Sequence, residues 1–527
     1  MSSVDAFKLV LISLIAMVGL QLLATRLRFP PAAALLLGGM ALAFLPGLPP
    51  INLDPDLVLI VFLPPLLMNG GYFSVWDDLK RNLGAILVLA IGAVAFTTLC
   101  VGAVLHAVVP TLPWAACFAL GAIVSPPDAV AAKAVLEGLS LPRRLTVLLE
   151  GESLLNDAAG LVLVRFAVVA ALTGTFSASH AVGTFAMLAV GGLAVGLLIG
   201  FLMIKALRFL EDDFLVITTT LLTSWISYIV ADFIGVSGVI STVTCGLTIG
   251  WYQHELFSAT VRLRGSSFWA VMVFLLEALV FILIGLSLRG VVLRLDAHGT
   301  LLALVPAVLA VVAVVIASRF VFVFGVDAID AVTRRLRGDR THSTDWKATT
   351  ILGWAGMRGV VTLAVALGLP DAMPGRDLIL VASFAVILVT VVVQGATIGT
   401  IIRWIDPERV TTRNAMHLSE PQAWAHLEAA QLAAIEPLVR GSDGTIVHPR
   451  LYEQYNYRAN LSKSMGELET FPTGRREAHY DIVLAALAAG REELLRLHRA
   501  GLVHDEVMHT LERDLDLQEI SARHNRG

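Results

Sequence analysis

Apolar segments of about twenty residues recur along most of this chain, separated by short polar loops. A helix of about that length spans the hydrocarbon core of a bilayer. The pattern therefore predicts about thirteen membrane-spanning helices. We place them near residues 6–24, 32–48, 57–69, 83–109, 113–132, 145–173, 183–208, 214–234, 236–250, 268–288, 301–325, 347–369 and 377–404.

The hydropathy pattern changes after Trp404. Residues 406–527 carry 14 Lys or Arg and 19 Asp or Glu, which is 33 of the 80 charges in the chain. We therefore expect an all-α polytopic membrane domain over residues 1–405 and a helical cytoplasmic tail over residues 406–527. Within the tail, apolar residues at 503, 507, 511 and 515 predict an amphipathic helix that begins near His504 and packs on the tail or on a second subunit.

The Lys and Arg residues of the loops predict the orientation in the membrane. One set of alternating loops holds sixteen of them, and the opposite set, together with the N-terminus, holds four. By the positive-inside rule, the N-terminus lies outside and the tail lies in the cytoplasm, at the plasma membrane or, in a prokaryote, the inner membrane. Asp5 precedes the first apolar segment and no small-residue cleavage site follows before Arg26, so we expect a retained span.

The overall composition excludes several classes of protein. The chain of 527 residues is 57% hydrophobic and 15% charged, unlike a soluble enzyme. Its net charge of −4 offers no basic field for nucleic acid, so the expected partners are the lipid bilayer and a small substrate, with no cofactor. Cys100, Cys117 and Cys245 lie in apolar segments and are expected in the core.

Few charged residues lie inside the predicted spans. A charge near the middle of a bilayer costs about 2.5–3.5 kcal/mol on insertion scales, so each one requires a partner or a function. These residues are Asp128, Glu150, Glu152, Asp157, Arg165, Asp232, Glu277, Arg319 and Arg358.

The fifth span contains the sequence Ser125-Pro126-Pro127-Asp128. Two adjacent prolines remove two backbone donors and force the helix to open. Asp128 then begins the next half-helix, where its carboxylate is able to cap free N–H groups, and the opened carbonyls are able to bind a cation. The alternative is a structural proline kink with a capping aspartate.

The sixth span places polar residues on neighbouring stripes of one helix. Ser153 and Asp157 are four residues apart, as are Glu152 and Asn156. With the opened carbonyls of the fifth span, these oxygens suit a hard cation better than a soft metal. The alternative is a polar clamp between helices.

The twelfth span contains Gly353, Gly356 and Gly359, which weaken the helix around Arg358. Arg358 is able to neutralise the carbonyl end of a half-helix. Interruptions at corresponding places in two halves predict an inverted-repeat transporter with two broken crossing helices and a site at the midplane. We expect Arg319 to pair with Glu152, and Asp232 and Glu277 to serve helix contacts outside the first shell.

These residues resemble the sodium/proton exchanger branch of the cation/proton antiporter superfamily. The similarity covers about residues 6–404 in order, and the matching motifs are Phe62-Leu-Pro-Pro-Leu-Leu, Ser125-Pro-Pro-Asp-Ala-Val-Ala, Gly151-Glu-Ser-Leu-Leu-Asn-Asp-Ala, Ser237-Gly238 after Asp232, and Gly356-Met-Arg-Gly. The resemblance implies two six-helix bundles with an extra first helix, a moving core part and a dimerisation part, and hence a homodimer.

The resemblance also implies roles for single residues. Asp157 carries the ion, helped by Asp128, Ser153 and the backbone carbonyl of Pro127. Glu152 pairs with Arg319, and Asn156 is structural. The chain departs from the family pattern in the order Pro127-Asp128, where Asp-Pro is common, and at Asn69, where an acid is common.

Burial favours the protonated carboxyl group, whereas a bound cation favours the ionised form. We therefore expect a monovalent cation, Na⁺ or else Li⁺ or K⁺, to compete with a proton for Asp157, which gives electroneutral one-for-one antiport by alternating access. The competing hypothesis is a passive cation channel gated by pH. A membrane enzyme is favoured less than the channel, because neither hydrolase signature is complete: Ser153 lacks the second glycine of Gly-x-Ser-x-Gly, and His254-Glu255 has no second His four residues after the first.

Eight of the thirteen histidines lie in the tail, at 417, 426, 448, 479, 498, 504, 509 and 524. Because histidine titrates near neutral pH, they are candidates for a cytoplasmic pH sensor. Solvated surface histidines are the alternative interpretation.

Overall fold

The chain divides into two compact units, Met1–Val410 and Thr411–Gly527. The computed structural model describes residues 3–27, 29–45, 55–128, 141–175, 177–296, 301–336, 346–405, 420–440, 445–467, 473–500, 502–503 and 505–526. The predicted domain boundary at 405/406 adjoins residues outside the described part and stays a prediction.

The first unit is built from helices in sequence order. The helices are α1 (Ser3–Leu27), α2 (Pro31–Ala43), α3 (Pro55–Phe73), α4 (Trp76–Leu87), α5 (Val94–Val108), α6 (Trp114–Val124), α7 (Arg143–Thr173), α8 (Ala178–Leu207), α9 (Asp213–Ile234), α10 (Gly238–Leu256), α11 (Ala259–Asp296), α12 (Leu301–Leu336), α13 (Trp346–Trp354), α14 (Val360–Leu367), α15 (Arg376–Val389) and α16 (Gly395–Ile405). Short π-helical segments, Val88–Ala93 and Thr390–Gln394, join α4 to α5 and α15 to α16.

The all-α polytopic fold predicted from the sequence is confirmed. Within the described residues, nine helices are long and apolar enough to cross a membrane, and Pro31–Ala43 and Trp114–Val124 are shorter apolar helices. Every predicted span coincides with a helix or with an interrupted pair of helices, although α2 ends at Ala43 rather than near 48. The number of spans stays a prediction.

Local sequence explains where α9 and α10 begin and end. The Asp212 side chain accepts a hydrogen bond from Leu215 N–H, and Ser237 Oγ accepts one from Ile240 N–H, so each residue caps a helix start. Gly235, between the two helices, has a φ of 83° and ends α9 in the left-handed conformation.

Two helical interruptions meet inside the first unit. The first break covers residues 125–128 after α6, and the second covers residues 355–359 between α13 and α14. Asp128 N–H, in the first break, donates to Met357 O in the second at 2.7 Å. The two breaks are therefore in direct contact, as the prediction of two broken crossing helices requires. The predicted half-helix after Asp128 falls at residues 129–140, outside the described residues.

Asp78 near the start of α4 binds Arg143 at the start of α7 at 2.7 Å, so both helices begin on one side of the helical layer. With one crossing for each helix or interrupted pair, as the sequence predicts, the end of α16 at Ile405 lies on that side too. We call it the tail side and the opposite one the far side.

The described residues of the second unit form four helices, α17 (Glu420–Val439), α18 (Pro449–Glu467), α19 (Thr473–Arg499) and α20 (Asp505–Arg526). Helix α17 packs against α18, and α19 packs against α20. A half-buried ion pair joins the first two helices, with Arg458 Nη2 at 2.7 Å from Glu428 Oε1. Outside the helices, the described part of this unit contains one isolated antiparallel bridge between Arg440 and Ile446.

The amphipathic helix predicted near His504 is present as α20, although His504 itself lies outside the described residues. Val507 and Leu511 of the predicted apolar stripe are 49% and 43% exposed, whereas Met508 and Ala522 are buried. Leu515 of the same stripe is half-buried, so the stripe read in the sequence coincides only in part with the face of α20 that packs within the tail. Of the tail histidines, His426, His448 and His524 are exposed and His498 is half-buried.

Candidate functional site

A cavity of about 140 Å³ lies where α3, α7 and α11 meet the two breaks. Its polar wall is formed by Asn69, Asp128, Glu150, Ser153, Asp157 and Glu277. The described residues that line it include four carboxylates and no lysine or arginine. This charge distribution favours a cation over an anion.

Helix α7 supplies three of these polar side chains from one face. Glu150, Ser153 and Asp157 lie at positions i, i+3 and i+7, which share a face of an α-helix. The sequence predicted Ser153 and Asp157 as neighbours. Glu150 was a charged residue of this span without an assigned role, and its spacing of seven from Asp157 is the signal that places it in the same wall.

The cavity also includes two residues to which the sequence gave no direct role in binding. Glu277 of α11 was expected outside the first shell but lies in the cavity wall. Asn69 of α3, where the family commonly has an acid, lies there as well. Single-sequence patterns do not reveal which face of α3 or α11 meets α7, because both helices are apolar on most sides.

Asp128 approaches the second break closely. Gly359 permits this approach, because a Cβ atom built there would lie 1.5 Å from Asp128 Oδ2. Gly160 likewise permits the first break to approach α7, since a Cβ atom built there would lie 2.4 Å from Pro126 Cγ. The position of Asp128 beside α7 therefore depends on the absence of two side chains.

Arg358 joins the two breaks through its guanidinium group. The side chain is 1% exposed. Its Nε donates to Val124 O at 2.9 Å and Nη2 donates to Ser125 O at 3.4 Å, while Nη1 donates to Gly356 O. The positive charge thus lies at the carbonyl end of α6, where it neutralises the negative end of the helix dipole. The sequence indicated the carbonyl end of a half-helix but not which one.

Glu152 and Arg319 form a buried ion pair on the side of α7 turned away from the cavity. The two side chains are 1% and 2% exposed. Arg319 Nη2 donates to Glu152 Oε2 at 2.6 Å, and Nη1 donates to Oε1, so the contact is bidentate. This pair is the one that the sequence predicted, and neither residue lines the cavity.

Asn156 contacts the first break rather than the cavity. Its Nδ2 donates to the carbonyl oxygen of Pro127 at 2.5 Å, and the residue is completely buried. The resemblance assigned the Pro127 carbonyl to the cation. In this structure that oxygen accepts the Asn156 amide, which leaves one lone pair for any further ligand.

The remaining charged residues of the spans lie elsewhere. Arg165 of α7 and Asp232 of α9 are exposed, and neither lines the cavity. Cys117 and Cys245 are buried and Cys100 is half-buried, and all three are free thiols. The helix contact suggested for Asp232 stays a prediction.

The chain was compared with known families and structures. The family described as "Sodium/hydrogen exchanger, transmembrane" matches residues 10–404. A sodium, potassium, lithium and rubidium/H⁺ antiporter of Bacillus pumilus (strain SAFR-032) is 33% identical over 373 residues, which cover 68% of this chain. Those residues span about half of that relative, 55% of its length.

A second relative matches almost end to end. An uncharacterized Na⁺/H⁺ exchanger of Mycobacterium tuberculosis (strain ATCC 25618 / H37Rv) is 30% identical over 97% of this chain and 95% of its own length. Among solved structures, the sodium proton antiporter MjNhaP1 from Methanocaldococcus jannaschii at pH 8 has a TM-score of 0.59 at 20% identity, covering 76% of this chain and 98% of that one. The fold is therefore that of MjNhaP1, and the chain belongs to the sodium/hydrogen exchanger family, a family of membrane transporters.

Proposed function

We propose that this protein exchanges a monovalent cation for a proton across the membrane, with Asp157 as the residue that carries either ion. The observation that supports this most directly is the shared cavity of Asp157, Asp128 and Ser153, whose described wall contains carboxylates and no basic side chain. Oxygen ligands of this kind suit hard cations. The named relative from Bacillus pumilus handles Na⁺, K⁺, Li⁺ and Rb⁺, which are the cations to test first.

Competition at one carboxylate is sufficient for coupling. A proton neutralises Asp157, whereas a bound cation requires its ionised form, so the two ions exclude each other. Glu152 is neutralised by Arg319, and residue 156 is an uncharged Asn. We propose that Asp157 is the one carboxylate of the cavity that exchanges its ion in each cycle, so the transport is electroneutral at one cation for one proton.

The exchange requires that Asp157 be presented to each side in turn. The cavity lies toward the tail side, because its wall includes Gly70, Phe73 and Ser74 at the tail-side end of α3. We propose that the crossing helices and α7 move together against α3 and α11 to turn the site to the far side. In this proposal, the protein works as a homodimer with its N-terminus outside and its tail in the cytoplasm.

The central test uses purified full-length protein in liposomes that contain a pH-sensitive dye. Chloride salts of Na⁺, Li⁺, K⁺ and Rb⁺ are added in turn, and at least one is expected to drive proton efflux. Asp157→Asn is expected to reduce this flux to the level of empty liposomes, since an amide cannot exchange a proton for a cation. The matched control is Asp371→Asn, at a carboxylate that is 98% exposed and outside the cavity.

Full flux through Asp157→Asn would contradict the proposed site. Dependence of wild-type flux on membrane voltage would contradict the electroneutral stoichiometry alone. A pH-gated cation channel is the second candidate, because the same oxygens are able to line a pore. It predicts a cation current that persists when the proton gradient is held at zero, whereas the antiporter predicts none.

A further inference from the structure

The hydroxyl group of Thr390 connects the last membrane helix to the second break. Thr390 is completely buried at the start of the π-helical segment Thr390–Gln394. Its Oγ1 donates to Val386 O at 2.7 Å in its own helix and accepts Arg358 N–H at 3.1 Å. A hydroxyl group has one proton, so the bond to Val386 leaves a lone pair as the acceptor for Arg358.

The π-helical segment supports this contact. Gly395 N–H bonds to Thr390 O, five residues back, which widens the helix by one residue at the place where it passes the second break. Seven residues after Thr390, Thr397 Oγ1 accepts Trp354 Nε1–H at 3.0 Å. Two threonines of the last helix thus hold Trp354, at the end of α13, and Arg358, inside the second break.

The held segment in turn contacts the candidate ion site. Met357 O accepts Asp128 N–H at 2.7 Å, and Arg358 Nε donates to Val124 O at 2.9 Å. Gly359 lies so close to the Asp128 carboxylate that a Cβ atom at residue 359 would not fit between them. A shift of the second break therefore moves Asp128 relative to Asp157, which stands on the separate helix α7.

We propose that Thr390 is a positioning residue for the ion site, and that it acts through the backbone of Arg358 on the placement of Asp128. This inference rests on the proposed function, because it assigns Asp128 to cation binding. Thr390 does not line the cavity. We expect a substitution of Thr390 to change the affinity for the cation rather than the ability of Asp157 to exchange a cation for a proton.

The test compares three variants. Thr390→Val keeps the shape of the side chain but leaves Arg358 N–H without its acceptor, and Thr390→Ser keeps the acceptor. The matched control is Thr223→Val in α9, where a completely buried threonine donates to Thr219 O at 2.6 Å in its own helix. Each protein is reconstituted, and proton flux is measured against cation concentration at several pH values.

We expect Thr390→Val to raise the half-saturating cation concentration about tenfold, the effect of one unsatisfied buried donor. Its maximal rate should fall less, and Thr390→Ser and Thr223→Val should remain within about twofold of the wild type. A Thr390→Val protein with unchanged cation affinity, or a Thr390→Ser protein as weak as Thr390→Val, would overturn the inference.

Hydrogen exchange separates this inference from the proposed function. The peptide that covers residues 355–360 should exchange faster in Thr390→Val and at the wild-type rate in Thr390→Ser, whatever ion is transported. Unchanged exchange in Thr390→Val overturns the positioning role. Faster exchange in a protein whose wild type shows no cation-driven flux supports the positioning of the break and rejects the antiport function.

Discussion

At the scale of single residues, the site depends on two glycines, which leave room for their neighbours, as much as on its polar side chains. Asp128 reaches its position because residue 359 is glycine, and the first break packs on α7 because residue 160 is glycine. The sequence showed Gly359 as one of three glycines that weaken the twelfth span. Only the folded chain shows that both glycines face the first break, Gly359 at Asp128 and Gly160 at Pro126.

Gly359→Ala is therefore expected to disable transport. The new Cβ would lie 1.5 Å from Asp128 Oδ2, so the carboxylate or the second break must move. Cation-driven proton flux in liposomes should fall at least tenfold, by about 1.4 kcal/mol or more. Gly325→Ala in α12 is the control, because no atom lies within 4 Å of its added Cβ. Equal flux in both variants would contradict the requirement that Asp128 keep its observed position for transport.

At the scale of helices, buried polar contacts fix how the elements pack. Arg358 lies at the carbonyl end of α6 and Asp128 N–H bonds to Met357 O, so the two interrupted helices support each other at their breaks. The pair of Glu152 and Arg319 joins α7 to α12. A bidentate pair that is this deeply buried fixes the register of the two helices.

Removing one partner of that pair is expected to destabilise the protein strongly. Glu152→Gln leaves the Arg319 charge buried without its countercharge, at a cost of about 3–5 kcal/mol. The double variant Glu152→Gln/Arg319→Met removes both charges and should be more stable than Glu152→Gln. Thermal unfolding in detergent measures both effects.

The control for this experiment is an exposed ion pair. Arg143, whose side chain is 72% exposed, binds Asp78 at 2.7 Å. Arg143→Gln should change the stability by less than about 1 kcal/mol. A double variant less stable than the single Glu152→Gln would mean that hydrogen bonds of Arg319 other than those to Glu152, such as the one to Leu352 O, matter more.

At the scale of the whole molecule, the cavity that contains Asp157 also includes residues at the tail-side end of α3. The wall includes Ser74, in the short connection after α3, together with the acidic face of α7. Acids along such a wall attract cations from one side of the membrane. The far-side connections contribute no residue to it within the described part of the chain.

A cysteine at position 74 is therefore expected to react from the tail side. In a protein whose three native cysteines are replaced, Ser74→Cys should be labelled by a membrane-impermeant maleimide added on the tail side and protected by saturating cation. Thr111→Cys, in an exposed far-side loop, should react from the opposite side. Equal labelling of Ser74→Cys from both sides would contradict a cavity that is closed on the far side.

The sequence determined the membrane fold, the two interruptions and the main polar residues. Apolar segments, adjacent prolines and charges inside spans are local features of the sequence. A charge within the bilayer and a proline inside a helix each cost much free energy, so few structures are compatible with them. The partner of Arg319 was also predictable, because few acids lie at the same depth and a buried arginine requires one.

Tertiary structure alone decided which faces of the helices meet. Glu277 and Asn69 join the cavity because α11 and α3 turn those faces toward α7, and Thr390 meets Arg358 because the π-helical segment passes the second break. The apolar stripe of α20 likewise predicted the helix but only part of the face that packs. The sequence of a helix that is apolar on most sides does not indicate which face packs, because that depends on contacts with distant segments of the chain.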